Sequence, residues 1–215
     1  GAVEERRVVV WLARGWFRPG QALAMQAYAE AFARRGYVSV TMGYRARPGL
    51  VCCPTDDIEG VTAAVAGATD DAAAGVRWLR DHADEFGIDP DAIAVGGAQG
   101  GAAAALGLAH VVGAPIAAAV PVDGVGFGRP DAGEPPFLAF HGTQSTVAPA
   151  HLSEWACTRA RAKGTTCGTT VLQTSFEDLA AFQATGFAVY DAGREPEALR
   201  AMMVSASLLP MLRVQ

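Results

Sequence analysis

Apolar and polar positions alternate along this chain in blocks rather than residue by residue. Continuous apolar runs at Arg7 to Leu12, Tyr37 to Met42, Ala92 to Val95, Ile116 to Val122 and Pro136 to Phe140 predict strands buried on both faces, because a half-wet strand shows a two-residue period. Between them lie stretches of helical periodicity: Gln21 to Arg35, Ala72 to Phe86, Gly101 to Val112 and Ala150 to Lys163. Each is followed at once by a glycine, Gly36, Gly87, Gly113 or Gly164, the residue that most readily ends a helix in the left-handed conformation. Strands alternating with helices of this length predict an α/β chain, a three-layer α/β/α sandwich on a mainly parallel sheet of about six strands. After Gly164, both Thr170 to Thr174 and Phe187 to Asp191 fit a further strand, with a closing helix from Glu195 to about Leu209.

Composition narrows the function. The 215 residues, 51% hydrophobic, suit one domain with a full core, and no linker-like shift divides 1–215. A net charge of −5 with 17 scattered basic residues argues against a nucleic-acid or anionic-membrane partner and for a small organic ligand or substrate. A homodimer, or pairing with a catalytically complete relative, is also compatible with it. No apolar stretch reaches the length of a membrane span and no charged segment with an apolar core opens the chain. Gly1 is compatible with a removed signal peptide, so secreted and cytoplasmic settings both stay open. Cys157 and Cys167 are close enough in sequence for a bridge in an oxidising compartment, while buried thiols fit a reducing one. Cys52 and Cys53 lack metal-ligand spacing, and His82, His110, His141 and His151 are dispersed, so no metal and no cofactor is expected.

Ligands of open parallel sheets sit beyond the carboxyl ends of the strands. That rule selects Ala13 to Phe17, Tyr44 to Arg47, Ala98 to Gly100, Asp123, and His141 to Ser145. Within this set, Ile93-Ala94-Val95-Gly96-Gly97-Ala98-Gln99-Gly100-Gly101 has the spacing of the strand-to-helix turn G-x-S-x-G, with Gln99 at the serine position. A carboxamide has no ionisable hydrogen and a poorly nucleophilic nitrogen, so covalent acyl transfer cannot start from it.

Several of these segments resemble the α/β-hydrolase fold, in particular its small carboxylesterase and lipase-like branch without a cap domain. Val8-Val9-Val10-Trp11-Leu12 and Ala13-Arg14-Gly15-Trp16-Phe17 are similar to its strand and H-G-G-G-F oxyanion loop. Met42-Gly43-Tyr44-Arg45-Ala46-Arg47-Pro48 resembles N-Y-R-L-x-P, and Phe86-Gly87-Ile88-Asp89-Pro90-Asp91-Ala92-Ile93 resembles the approach to the elbow. Phe140-His141-Gly142-Thr143-Gln144-Ser145 resembles the F-H-G-T-x-D stretch that carries the catalytic acid. The resemblance implies an elbow serine, a late histidine and an acid. Here those positions read Gln99 and Ser145, with no histidine after His151, and the oxyanion loop reads Ala13, Arg14 and Trp16 where the family has histidine and glycines. Compared with that family, a sheet lacking its first two strands is expected, since little chain precedes Val8 in this sequence.

These substitutions predict a hydrolase scaffold put to another use: a non-hydrolytic lyase, isomerase or cyclase, a pseudoenzyme binding a ligand or partner, or an esterase with relocated residues. Gln99 is either a hydrogen-bonding group for a ligand or the product of neutral decay, and a positive φ there would favour function. Asp123 and His141, at the ends of neighbouring strands, are either a general-base pair or a structural carboxylate and a histidine under the loop. Arg14 suits an anionic ligand group or solvent. Trp16, Phe17 and Tyr44 suit a pocket wall, and Ala98, Gly100 and Ser145 its floor and rim. Asp56, Asp57, Asp70 and Asp71 read as helix N-terminal carboxylates, His82 as a surface residue, and His110 as a cation suited to a helix C-terminus.

Overall fold

The computed structural model describes residues 5–18, 21–47, 49–50, 57–126, 128, 130–146 and 148–173. The second candidate strand, the closing helix, Cys52, Cys53 and Asp56 lie outside them.

Six strands, β1 (Arg6–Leu12), β2 (Val38–Met42), β3 (Ile88–Ala98), β4 (Ala118–Val122), β5 (Phe137–Gly142) and β6 (Cys167–Leu172), pair in parallel in the order β2-β1-β3-β4-β5-β6. The chain first steps outward from β1 to β2 and then crosses back to β3, so the winding direction reverses between β1 and β3. A crevice at the carboxyl ends of the strands follows from that reversal, because the loops after β1 and β3 leave in opposite directions.

Both faces of the sheet are covered, as the continuous apolar runs require. Val8, Val10 and Leu12 of β1 pack with α2 (Ile58–Asp81) and α4 (Gly100–Gly107). Val9 and Trp11 turn to the other face, against Tyr28 and Ala29 of α1 (Gln26–Ala33). A short α3 (Ala83–Phe86) ends at Gly87 in the left-handed conformation, and α4 runs on through one π-helical stretch, Leu108–Val112, to Gly113. The predicted stops at Gly36, Gly87, Gly113 and Gly164 all carry positive φ.

Three local readings are corrected. α2 starts at Ile58 rather than Ala72, and Asp57 caps it by accepting from the Gly60 N–H at 2.7 Å. Asp70 and Asp71 therefore lie inside the helix, where Asp71 pairs with Arg45 through two-pronged contacts of 2.5 to 3.0 Å. His110 is buried rather than cationic at a surface, stacked edge-on against Phe137 with centroids 5.3 Å apart and donating from Nε2 to the Pro135 carbonyl at 3.2 Å. Burial pushes its pKa down from the usual 6.5.

The last described helix, α5 (His151–Ala162), buries only Ser153, Cys157 and Ala160. These positions fall on one helical face. Cys157 is bridged to Cys167, the first residue of β6, with Cα atoms 5.6 Å apart. Among the described residues no helix is long and apolar enough to cross a membrane, and no cluster of His, Cys, Asp and Glu has the makings of a metal site.

Candidate functional site

The centre of the crevice is the turn from β3 into α4. Gln99 sits there at φ 55°, ψ −112°, a conformation that L side chains rarely adopt. Its backbone N–H donates to the Val122 carbonyl at 3.0 Å and its carbonyl accepts from Ala103 at 3.1 Å. A turn this sharp brings strand and helix into contact on both sides. A Cβ added at Gly97 would lie 2.5 Å from the Gly101 carbonyl carbon, and one at Gly101 would lie 2.5 Å from the Ala13 carbonyl oxygen. Gly97 and Gly101 are thus fixed by packing, and the elbow backbone persists with glutamine at its apex.

The loop after β1 closes on the same point. A Cβ at Gly100 would approach the Gly15 carbonyl oxygen to 2.7 Å and the Tyr44 hydroxyl to 3.1 Å. Tyr44 ties the loop down by donating to the Ala13 carbonyl at 2.9 Å, with the Gly15 carbonyl at 3.3 Å. Burial pushes the Tyr44 phenol above its ordinary value, so it remains a donor at any physiological pH. Phe17 is fully buried at φ 53°, its N–H donating to the Gly15 carbonyl at 3.0 Å and its carbonyl accepting from Arg47 at 2.8 Å. Its ring contacts Trp16 and Tyr44, with centroids 5.9 and 5.6 Å apart. Trp16 and Arg14 are half-buried. Arg14 and Asp123 both act electrostatically on the Tyr28 phenol, which burial pushes up, Arg14 opposing the shift and Asp123 adding to it.

Asp123 follows β4 directly, is 1% exposed, has φ 48° and donates its N–H to the Phe140 carbonyl at 2.8 Å. Its Oδ1 lies 3.5 Å from Nε2 of His141, so the two residues meet as the strand order predicts. His141 is fully enclosed. Nε2 lies 2.8 Å from the Ala148 carbonyl and Nδ1 2.8 Å from the Ser153 hydroxyl. A carbonyl can only accept, so Nε2 carries the hydrogen, and in the neutral ring Nδ1 accepts from Ser153. Ser145 stands on the loop between them, where its hydroxyl accepts from the Ala148 N–H at 3.3 Å.

The non-glycine residues with positive φ among those described are Phe17, Gln99 and Asp123. They follow β1, β3 and β4, three adjacent strands at the centre of the sheet. Each such residue costs on the order of 1–3 kcal/mol and persists where the surrounding structure over-determines it, typically at functional sites. The crevice therefore concentrates strain from three separate segments. A groove of about 280 Å³ lined by Val76, Arg77, Arg80 and Val112 borders the segment entering β4, at the opposite end of the strands.

Ser153 and Ala148, which hold the His141 ring, were not among the expected site residues. The signal for Ser153 was present as a hydroxyl on the sparse inward face of α5, in step with Cys157 and Ala160.

The family model BD-FAE matches residues 2–114, a span that includes the loop after β1 and the elbow. No curated protein matches the sequence. Among solved structures, a thermophilic esterase of the planctomycete Thermogutta terrifontis, Est2, aligns in its native form with a TM-score of 0.71 at 19% identity, covering 99% of this chain and 84% of that one. Its propionate-bound form gives 0.71 at 19% identity, over 99% and 85%. Esterase 2 phosphoramylated by tabun gives 0.70 at 19% identity, over 100% and 86%. At this identity the likeness shows the fold alone.

Proposed function

Since the chain belongs to the BD-FAE family, an esterase-like α/β-hydrolase domain, we propose that its elbow site takes up a small carbonyl- or carboxylate-bearing ligand without forming an acyl-enzyme. One observation carries this reading: Gln99 occupies the strained apex of the elbow at φ 55°, ψ −112°. Strain of this kind clusters at ligand clamps and active sites, where the surrounding structure holds it in place.

The chemistry of the apex suits a ligand oxygen. The carboxamide offers a donor pair and an acceptor. Gly100 opens α4, and the first N–H groups of a helix have no partner inside it, which makes its positive end a docking point for an anionic or carbonyl oxygen. Trp16 and Tyr44, both half-buried, supply the apolar wall, whereas Phe17, expected to line it, is fully buried behind them and supports it. Forms of Est2 hold propionate and butyrate, and short carboxylates are accordingly the first probes to try here.

Binding without turnover is favoured over conversion by the state of the histidine. Both ring nitrogens of His141 are engaged and the ring is enclosed, so a substrate has no access to the general base. Ser145, at the position of the family's acid, cannot orient an imidazolium as a carboxylate does. A second reading, a non-hydrolytic lyase, isomerase or cyclase, draws support from the 3.5 Å approach of Asp123 to His141 and requires Nε2 to leave Ala148 during the reaction.

Two measurements test the proposal. A fluorophosphonate probe and short-chain aryl esters should give no labelling and no turnover, and stoichiometric labelling would overturn it. Calorimetric titration with propionate and butyrate should give saturable binding that weakens about tenfold in Gln99→Ala, the size of one or two lost hydrogen bonds. Equal affinity in the variant would remove Gln99 from the site.

A further inference from the structure

α5 is attached to the sheet by very little. Its buried residues are Ser153, Cys157 and Ala160, with Leu152 and Ala156 half-buried beside them, while Glu154, Trp155, Arg159 and Arg161 are exposed. A helix with so narrow an apolar stripe gains little from burial. Specific links replace it. Cys157 is bridged to Cys167, and the guanidinium of Arg161 donates to the Cys167 carbonyl at 3.2 and 2.9 Å. One helical turn toward the amino end, Ser153 meets Nδ1 of His141 at 2.8 Å. The β5–β6 register sets Cys167 beside Phe137 and Val171 beside His141. The bridge thus anchors α5 at the start of β5, and the hydroxyl contact lies at the end of β5, directly beneath the crevice.

We propose that the Cys157–Cys167 disulfide and Ser153 act as one positioning device, the covalent link fixing the helix so that the Ser153 hydroxyl tethers the His141 ring with its Nε2–H aimed at Ala148 and Asp123. Ser153 and the cysteines are positioning residues, since each acts through the imidazole and none reaches the elbow. Ring orientation set by the partner of the second nitrogen is a general property of histidine. What is particular to this chain is that the partner rides on a helix held in place by a disulfide. The functional consequence rests on the reading of the crevice as a ligand site, but the positioning itself does not.

The test reads the imidazole directly. Long-range ¹H–¹⁵N spectra of the wild-type protein should show His141 as a single tautomer, Nε2 protonated and Nδ1 bare. Ser153→Ala with the disulfide intact should shift the bare Nδ1 resonance and broaden the ring signals as the ring loses its second tether, and Ser153→Thr should restore the wild-type signals. Cys157→Ala with Cys167→Ala should shift and broaden them likewise, and amide exchange along α5 should rise about tenfold or more. Wild-type ring signals in that double variant would overturn the proposal, whatever happens to its melting temperature. Should it fail to fold, Cys157→Val with Cys167→Ala refills the space left by the sulfurs while leaving α5 unlinked, and unchanged ring signals there overturn the proposal equally. Propionate titrations of the same variants keep the two ideas apart. Absence of binding in every protein, wild type included, counts against the ligand reading and leaves the ring signals to decide the positioning.

Discussion

Gln99 is held where glutamine is uncomfortable. Because φ 55°, ψ −112° costs an L residue on the order of 1–3 kcal/mol, Gln99→Gly should raise stability in urea or heat by about 1 kcal/mol, with glycine's greater unfolded-state entropy taking back part of the strain relief. The same variant should lose ligand affinity, a trade expected of a site kept for function. Gln99→Ser should restore a hydroxyl at the apex without restoring esterase turnover, because Ser145 provides no carboxylate and both nitrogens of His141 are engaged; burst kinetics with an aryl ester would show otherwise. At this scale the sequence was informative about placement wherever a residue comes directly after a strand or at its end, as for Gln99, Asp123 and His141. It was silent where the role depends on what packs alongside from elsewhere. His110 reads as a helix-end cation until Phe137 and the Pro135 carbonyl close over it, and Ser153 is an ordinary surface-helix serine until α5 is laid against β5.

Elements were legible in proportion to their contrast. The runs that became β1, β4 and β5 stand out because both faces are buried, while β2, Val38-Ser39-Val40-Thr41-Met42, is half-buried throughout and shows its strand by alternation. The amino-terminal half of α2 escaped notice because its inward face is Gly60, Val61, Ala64, Val65, Ala68 and Thr69, small residues that barely differ in hydropathy from their exposed neighbours. The start of β3 was hidden by Asp89-Pro90-Asp91, which reads as a turn. Proline is accepted there because the β1–β3 register shifts between Arg6 and Val8, and an irregularity needs no ladder N–H. Two predictions belong to this scale. Gly101→Ala should destabilise by about 1–3 kcal/mol as an overpacking change, since its Cβ would meet the Ala13 and Leu12 carbonyls at 2.5 and 2.8 Å. Replacing Cys157 and Cys167 together should lower the unfolding free energy by about 2–4 kcal/mol, measured by denaturant titration against the wild type.

At the scale of the molecule, two groups among the described residues shift in the direction that costs stability in acid. Burial holds His110 below its usual 6.5, so the unfolded chain binds that proton first. The associated stability is complete above pH 6.5 and is lost as pH falls through the lowered folded value. Asp71, held below its usual 3.8 chiefly by the Arg45 hydrogen bond, contributes stability above that pH that is lost further into acid. Melting temperature should therefore decline from neutrality downward in two stages. His110→Gln, which keeps a donor for the Pro135 carbonyl, should flatten the upper stage alone, and a decline of unchanged size between pH 7 and 5 (roughly one unit either side of the free imidazole value) would refute the assignment.

The reversal of winding between β1 and β3 also has a consequence in time. β1 lies inside the sheet with β2 on one side and β3 on the other, and its β3 partners Ile93 to Gly97 leave the ribosome more than 80 residues after Val8 to Leu12. At about 5–20 residues per second, one edge of a strand that is apolar from Val8 to Leu12 waits on the order of 4–16 seconds for its mate. The loop after β1 and the elbow cannot face each other until that wait is over. A nascent chain halted before Ile93 should thus display an uncovered sticky edge and recruit holdase chaperones, and one halted just beyond α4 should release them.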